Sequence, residues 1–314
     1  MGRRRKGRPI SGILLLDKPT GPTSNQALMT CKRLYQAQKA GHTGSLDPLA
    51  SGVLPLCFGE ATKFSQYLLN ADKSYQATLK LGERTDTADS EGEVVECAKV
   101  PNLVALDIEQ ALKQFLGESY QVPPMYSALK QNGKPLYELA RQGIEVEREK
   151  RAISISSIQL DEWIEETNTL IFTVSCSKGT YIRTLGEDVA EKLGTLGHLT
   201  ALRRIRVGEF HLENCHRIEA VQQAFDDLGF DGIDQWLISP ENAVNHLPMV
   251  ELDPQEGYYV RLGQPIFLPG NVLDAAFAGQ SVEGLVRLRC ESQFIGLGEI
   301  ADDGLVQPKR LIAS

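Results

Sequence analysis

Residues 41–52 read Gly-His-Thr-Gly-Ser-Leu-Asp-Pro-Leu-Ala-Ser-Gly, a segment that holds a single carboxylate, Asp47, among three glycines. Pro48 disfavours the helical region for the residue before it, so the backbone at Asp47 is expected to be extended. The glycines permit tight turns and close backbone approach. We therefore expect this segment, the Asp47 loop, to present its carboxylate to a ligand. An Asp-Pro pair taken alone is more often an ordinary surface turn.

Further blocks of the chain extend this interpretation. The Asp47 loop resembles the catalytic motif of the TruB-type tRNA pseudouridine synthases, bacterial enzymes that isomerise the uridine at position 55 in the T-loop of tRNA. Other segments are similar to motifs of that family in the same order: Lys18-Pro19, Lys73-Ser74-Tyr75, Pro124-Met125-Tyr126-Ser127-Ala128-Leu129-Lys130, Gly179-Thr180-Tyr181-Ile182-Arg183-Thr184 and Leu202-Arg203-Arg204. The resemblance covers most of the chain, and its departures from the usual residues, such as Ser45 and Ser51, are small.

The resemblance implies a nucleophilic role for Asp47. Pseudouridine formation breaks the bond between N1 of uracil and C1′ of ribose, rotates the uracil and rejoins it through C5. Asp47 can attack either ribose C1′ or uracil C6. Because the departing uracil holds negative charge in its own ring, no second carboxyl group is needed to protonate it.

A cation beside Asp47 would favour its ionised form in a pocket that excludes water. Arg183 is the candidate, because it falls in the first turn of a predicted helix, where the macrodipole disfavours positive charge and an anionic partner would offset the conflict. The alternative is that Arg183 reaches solvent or a local acid such as Glu187.

The target base must leave the folded T-loop and stack on an aromatic ring. Tyr75 suits that role and can also help to remove the C5 proton, although its alternating strand, Ser74 to Leu81, equally favours a core tyrosine. By resemblance, Tyr181 contacts the flipped nucleotide, Leu202 closes the pocket, and His42 fills the space that the base leaves in the RNA. No further ligands accompany His42, so we expect neither a metal nor an organic cofactor.

Composition sets the class of protein. A chain of 314 residues predicts about two domains, and 42% hydrophobic residues are enough for a real core. The six cysteines are scattered without a C-x-x-C pair, which argues against a zinc site or a disulfide framework. No apolar run approaches the roughly 20 residues of a membrane span, and we expect a cytoplasmic protein.

The net charge of −8 argues against binding nucleic acid through overall charge. Basic residues nevertheless cluster locally, and the clusters form either an RNA contact surface or ordinary solvated faces. They are Arg3, Arg4, Arg5, Lys6 and Arg8; Lys130, Lys134, Arg141, Arg148, Lys150 and Arg151; and Arg203, Arg204 and Arg206.

Strand and helix patterns alternate irregularly along residues 1–248. They predict an α+β fold with a mixed, largely antiparallel sheet and flanking helices, and the resemblance implies the pseudouridine synthase fold and a catalytic domain. Residues 249–314 show short strands separated by Gly and Pro turns, beginning with Gly257 to Leu262, and predict a small β-barrel. The resemblance would make this barrel a PUA-like RNA-binding module, while a purely structural appendage is the alternative.

The preferred hypothesis is an isomerase that acts as a monomer on the T-arm of tRNA without a protein partner. A second hypothesis is a tRNA-folding chaperone in which catalysis is secondary. A third is the guide-dependent catalytic subunit of a ribonucleoprotein, which shares these motifs.

Overall fold

The strands and helices follow one another irregularly along the chain. In this computed structural model, residues 7–131, 133–268, 277, 284–301 and 304–313 are described. The strands among them are β1 (Gly12–Lys18), β2 (Ala40–His42), β3 (Ala50–Phe58), β4 (Lys73–Leu81), β5 (Glu83–Thr85), β6 (Val94–Cys97), β7 (Gly117–Gln121), β8 (Lys130–Gln131), β9 (Lys134–Pro135), β10 (Arg151–Ile164), β11 (Thr169–Cys176), β12 (Gly197–Val207), β13 (Phe210–His211), β14 (His216–Arg217), β15 (Met249–Leu252), β16 (Ile266–Phe267), β17 (Gly284–Cys290), β18 (Gln293–Ile300) and β19 (Leu305–Leu311).

The helices lie between these strands. The α-helices are α1 (Ser24–Leu34), α2 (Ser65–Asn70), α3 (Ala105–Lys113), α4 (Leu136–Ala140), α5 (Ile182–Lys192), α6 (Ile218–Asp234) and α7 (Pro254–Arg261). Short 3-10 turns occupy Gly59–Lys63, Glu165–Thr167, Leu212–Asn214 and Pro240–Val244. No helix in the described ranges is both long and apolar enough to cross a membrane.

Ten strands form the main sheet, in the order β14-β1-β3-β12-β4-β11-β10-β7, with β2 beside β3 and β13 beside β12. The pairs β1–β14 and β3–β12 are parallel, and the other pairs are antiparallel. This confirms the predicted α+β fold with a mixed, largely antiparallel sheet.

Local sequence explains how the central elements form. All nine residues of β3 are buried, as expected for a strand covered on both faces. Helix α1 begins with a capping box: the Thr23 hydroxyl accepts a hydrogen bond from the Gln26 N–H, and the Gln26 side chain accepts one from the Thr23 N–H. Strand β4 alternates as predicted, so Tyr75 and Ala77 face the core.

The C-terminal residues form a second sheet, in the order β15-β17-β18-β19-β16. It is a half-barrel around its own apolar cluster, which includes Val250, Val286 and Val306, and it confirms the predicted PUA-like fold class. The first predicted strand of this region, Gly257 to Leu262, was wrong because α7 covers it. Asp253 caps α7 in a capping box with Glu256, and this signal outweighs the turn-forming glycine and the two tyrosines that follow it.

The two sheets are held together by buried contacts. Glu241 has 7% of its side chain exposed and lies 2.9 Å from Arg287 and 2.7 Å from Arg289. The ring of Phe294 packs 5.4 Å from that of Phe64. The second sheet therefore has its own core but also covers part of the first.

The backbones of β3 and β12 approach each other closely where the two strands run side by side. Gly52 on β3 is paired with Arg204 on β12. A Cβ atom at Gly52 would lie 2.1 Å from the Arg204 carbonyl oxygen, and the φ angle of Gly52 is +104°. Glycine is therefore required at this junction for both space and conformation.

Gly52→Ala should destabilise the protein far more than Gly21→Ala. Gly21 has a φ of +101° but no atom within 4 Å of an added Cβ, so its substitution should cost only the roughly 1–3 kcal/mol of left-handed backbone strain. Gly52→Ala should lose a further ~2 kcal/mol or more, because two strands must separate. The free energy of unfolding from denaturant titration measures both variants. Equal losses would show that β3 and β12 adjust without cost.

Candidate active site

A cavity of about 420 Å³ opens beside the Asp47 loop. Its wall combines residues of β3, β4 and β12 with the first turn of α5 and with residues 127–129. Five of the six residues predicted from the sequence line it, namely Asp47, Tyr75, Tyr181, Arg183 and Leu202. They come from distant parts of the chain, so the order of strands in the sheet brings them together.

The Asp47 loop is fixed by hydrogen bonds on both sides of its carboxylate. The hydroxyl of Ser24, at the start of α1, accepts a hydrogen bond from the Leu46 N–H at 2.7 Å and donates one to the Leu46 carbonyl at 3.0 Å. The Ala50 N–H donates to the Asp47 carbonyl at 3.1 Å. The Asp47 side chain remains 45% exposed, so a rigid backbone presents it to the cavity.

Arg183 lies beside Asp47, on the first turn of α5. Its Nε is 3.1 Å from Asp47 Oδ2, and only 6% of its side chain is exposed. Its Nη1 donates to the Thr87 carbonyl at 2.9 Å, and its Nη2 donates to the Tyr126 carbonyl at 2.7 Å. The guanidinium group therefore directs its Nε towards Asp47, while each of its two Nη atoms donates to a backbone carbonyl.

Asp89 forms a second ion pair with Arg183 and was not predicted from the sequence. Its Oδ2 lies 3.3 Å from Arg183 Nη1, and its side chain is 3% exposed. Its Oδ1 accepts hydrogen bonds from the Thr87 hydroxyl at 2.7 Å and the Glu91 N–H at 3.0 Å. In sequence this segment has the composition of a polar surface turn, so only an Asx-type turn pattern offered a signal.

The protonation of Asp47 depends on opposing influences. Desolvation raises the pKa of its carboxyl group above the ordinary value, Arg183 lowers it, Asp89 raises it, and Lys18 lowers it. Desolvation is the largest of these effects, so the pKa is raised overall even with Arg183 in contact. Arg183 thus limits a pKa that would otherwise rise further.

Tyr75 belongs to both the core and the cavity wall. It lies on β4 between Val174 on β11 and Arg204 on β12, and it is 8% exposed. Burial raises the pKa of its hydroxyl. Leu202, also 8% exposed, lies on β12 opposite Ala77. The two side chains give the cavity an aromatic and an aliphatic surface.

Tyr181 is held at the residue that precedes α5. Its N–H donates to Gln121 Oε1 at 2.8 Å, and Gln121 Nε2 donates to its carbonyl at 3.0 Å. Burial raises the pKa of the Tyr181 hydroxyl. The two hydrogen bonds to Gln121 fix Tyr181 to β7, at the edge of the main sheet.

His42 lies apart from the other five residues. It is half-buried on β2, opposite Leu56 on β3, and does not line the cavity. Its Nδ1 is buried, with no hydrogen-bond partner among the described residues. Burial, together with the positive charge of Arg204, lowers its pKa, so the neutral imidazole is favoured.

Lys18, from the first motif block, and Lys63 both have structural contacts. Lys18 is fully buried and donates to the carbonyls of Pro19 at 2.8 Å and Ala50 at 2.7 Å. Burial lowers its pKa to about 8. Lys63 contacts Glu60 at 2.6 Å and donates to the Leu311 carbonyl at 2.7 Å, which joins the two sheets.

The basic clusters differ in their exposure. Five basic residues that follow the cavity-lining residues 127–129 in the sequence are exposed, namely Lys130, Lys134, Arg141, Lys150 and Arg151. Arg204 is 1% exposed, so the hypothesis of an RNA contact surface was wrong for this residue. The residues Arg3, Arg4, Arg5 and Lys6 lie outside the described residues.

The described part of the chain contains no group of three or more His, Cys, Asp and Glu side chains that could hold a metal ion. Its cysteines are free thiols, and four of them, Cys31, Cys57, Cys176 and Cys290, are buried.

Family models match three consecutive parts of the chain. Residues 32–182 match the N-terminal domain of the TruB family pseudouridylate synthases. Residues 183–242 match the tRNA pseudouridylate synthase B C-terminal domain, and residues 248–312 match the C-terminal model of pseudouridine synthase II TruB.

Related proteins match over nearly the full length. A tRNA pseudouridine synthase B from Coxiella burnetii (strain Dugway 5J108-111) is 47% identical over 97% of this chain and 96% of its own length. One from Vibrio vulnificus (strain YJ016) is 49% identical over 99% and 98%. Among solved structures, a Cbf5-Nop10-Gar1 complex aligns with a TM-score of 0.67 and 26% identity over 96% of this chain and 84% of that chain. The chain thus belongs to the TruB family of pseudouridylate synthases.

Proposed function

We propose that this protein isomerises uridine to pseudouridine at position 55 in the T-loop of tRNA. The observation that carries the proposal is the Asp47 carboxylate, held on a rigid loop, paired with Arg183 at 3.1 Å and open to a cavity that Tyr75 lines. Full-length relatives named tRNA pseudouridine synthase B support tRNA as the substrate.

Asp47 acts as the nucleophile in this proposal. It attacks either ribose C1′ or uracil C6. In the first route, an Asp47 oxygen bonds to C1′ as the N1–C1′ bond breaks and the uracil keeps the electron pair. The uracil then rotates, C5 bonds to C1′ as the bond from C1′ to the Asp47 oxygen breaks, the C5 proton is removed, and N1 takes up a proton. Since the product has the same atoms as the substrate, the reaction consumes no co-substrate, and we propose that it uses neither a metal nor an organic cofactor.

The remaining predicted residues have roles around the flipped base. The ring of Tyr75 stacks on the uracil, and its hydroxyl helps to remove the C5 proton. Tyr181 contacts the flipped nucleotide, and Leu202 provides apolar contact. His42, outside the cavity wall, is assigned to the space that the base leaves in the RNA. The exposed basic residues between Lys130 and Arg151 are available to contact the phosphates of the RNA backbone.

The proposal includes a division of the chain into a catalytic domain, residues 1–248, and a PUA-like RNA-binding domain, residues 249–314. The separate core of the second sheet supports this division. We further propose that the protein works as a cytoplasmic monomer and needs no protein partner or guide RNA. A purified preparation that isomerises a naked tRNA transcript tests this part against the guide-dependent alternative.

Asp47→Asn should lower the rate of pseudouridine formation by at least roughly 10⁴-fold, since a neutral amide cannot form the covalent bond. The affinity for tRNA should remain nearly unchanged. Mapping of pseudouridine at position 55 in a tRNA transcript measures the rate. Turnover close to that of the wild type would exclude Asp47 as the nucleophile. If the variant still refolds tRNA, chaperone action is separate from isomerisation.

Tyr75→Leu should lower the single-turnover rate on a T-loop hairpin about 10- to 100-fold, because stacking is worth roughly 1–3 kcal/mol per base. Tyr75→Phe keeps the ring and isolates the hydroxyl. Tyr67→Leu, on α2 and outside the cavity, is the matched control. Should Tyr75→Leu only lower stability, with normal turnover in the folded fraction, Tyr75 is a core residue alone.

Arg183→Ala should shift the acidic limb of the rate profile to higher pH, by about 1–3 units. The nucleophile must be ionised, so the rate falls as pH falls through the pKa of Asp47. Arg183 lowers that pKa, and its removal raises it. Arg183→Lys should also be impaired, because an ammonium group cannot replace four directed guanidinium contacts. An unchanged acidic limb in Arg183→Ala would assign Arg183 to RNA binding or folding.

Removal of residues 249–314 should weaken tRNA binding more than isomerisation of a T-loop hairpin. All proposed catalytic residues precede the boundary, but Glu241 would lose both of its arginine partners. The truncation should therefore carry Glu241→Gln to avoid a buried unpaired charge. A folded truncated protein that is inactive on saturating hairpin would contradict the two-domain division.

A further inference from the structure

Arg204 is a fully buried arginine at the centre of the main sheet. It is 1% exposed and is one of the largest fully buried side chains among the described residues. On β12 it lies opposite Tyr75 of β4 and Gly52 of β3. Arg204 thus connects the strand that carries the stacking tyrosine with the strand that follows the Asp47 loop.

The guanidinium group binds the two sides of the Asp47 loop. Its Nη2 donates to the Gly44 carbonyl at 3.1 Å, and its Nε donates to the Val53 carbonyl at 2.7 Å. Gly44 precedes Asp47 and Val53 follows it, so one planar group spans the loop. Tyr75 on β4 is the cross-strand neighbour of Arg204, whose positive charge opposes the rise in the pKa of the Tyr75 hydroxyl that burial causes.

The charge of Arg204 acts on the groups around the cavity. Its side-chain hydrogen bonds go to the carbonyls of Val53 and Gly44, and within the described ranges no carboxylate lies within ion-pair distance of it. Its neighbour Arg203, in contrast, is 2.9 Å from Asp17. Burial and the positive charge of Arg204 together lower the pKa of Lys73 to about 8.

We propose that Arg204 is a positioning residue of the isomerisation, which holds the Asp47 loop and the Tyr75 hydroxyl in a fixed relation and supplies positive charge to the cavity. The inference rests on the function proposed above. When the N1–C1′ bond breaks, the uracil keeps the electron pair, and a fixed cation nearby lowers the energy of that negative charge. Arg183 is shared between two carboxylates, so Arg204 provides a second source of positive potential.

Arg204→Lys tests the geometry because it retains the charge but not the planar set of donors. Its single-turnover rate on a T-loop hairpin should fall about 100-fold at saturating enzyme, as when a preorganised donor is removed. The affinity for the hairpin should be nearly unchanged, because Arg204 is buried. Arg203→Lys is the matched control on the same strand and should change the rate by less than about fivefold.

A double-variant cycle shows whether Arg204 acts through Tyr75. If it does, Arg204→Lys should reduce the rate much less in a Tyr75→Phe background than in the wild type. Independent losses that multiply, or equal rates for Arg204→Lys and Arg203→Lys, would overturn the inference. A loss of hairpin affinity that accounts for the whole effect would also overturn it.

If the Arg204 variants fail to fold, the inference can be tested by changing Tyr75 instead. In protein labelled with ¹⁵N-arginine, Tyr75→Phe should shift the Arg204 Nε–H signal, whereas Tyr67→Phe should not. Identical spectra would overturn the inference. The two proposals fail separately: a wild-type protein that forms no pseudouridine contradicts the proposed function, while an active wild type with unaffected Arg204 variants contradicts only the role of Arg204.

Discussion

The close parallel pairing of β3 and β12 is the contact on which the rest of the structure depends. Gly52 lets the two backbones approach so closely that an added Cβ would lie 2.1 Å from a carbonyl oxygen. This approach places Arg204 beside the Asp47 loop, where it donates hydrogen bonds to the carbonyls of Gly44 and Val53 and lies opposite Tyr75 on β4. A glycine at one position thus allows β12 to contact the Asp47 loop.

The charges of the cavity follow from that frame. Arg183 contacts two carboxylates, of which Asp89 is almost fully buried while Asp47 is partly exposed. The buried acid is satisfied by local hydrogen bonds and orients Arg183, while the exposed acid remains open to a ligand. Desolvation keeps the pKa of Asp47 raised, so its ionisation is sensitive to any change in this arrangement.

Much of the fold could be predicted from local sequence. The capping box at Thr23 marked the start of α1, and the period of two around Tyr75 marked β4 and its buried face. The same kind of signal was overlooked at Asp253, where a capping box begins a helix in place of the predicted strand. Helix and strand signals are local because they depend on backbone hydrogen bonding within a few residues.

The sequence by itself determined the type of fold, the rigid presentation of Asp47 and the inward direction of Tyr75, since turn chemistry and side-chain period are properties of short segments. Only the tertiary structure decided that Arg183 joins Asp47 to Asp89, and that Arg204 is buried rather than a contact for RNA. These contacts join residues far apart in the chain, so they depend on strand order and on the desolvation that packing imposes, which no local pattern records.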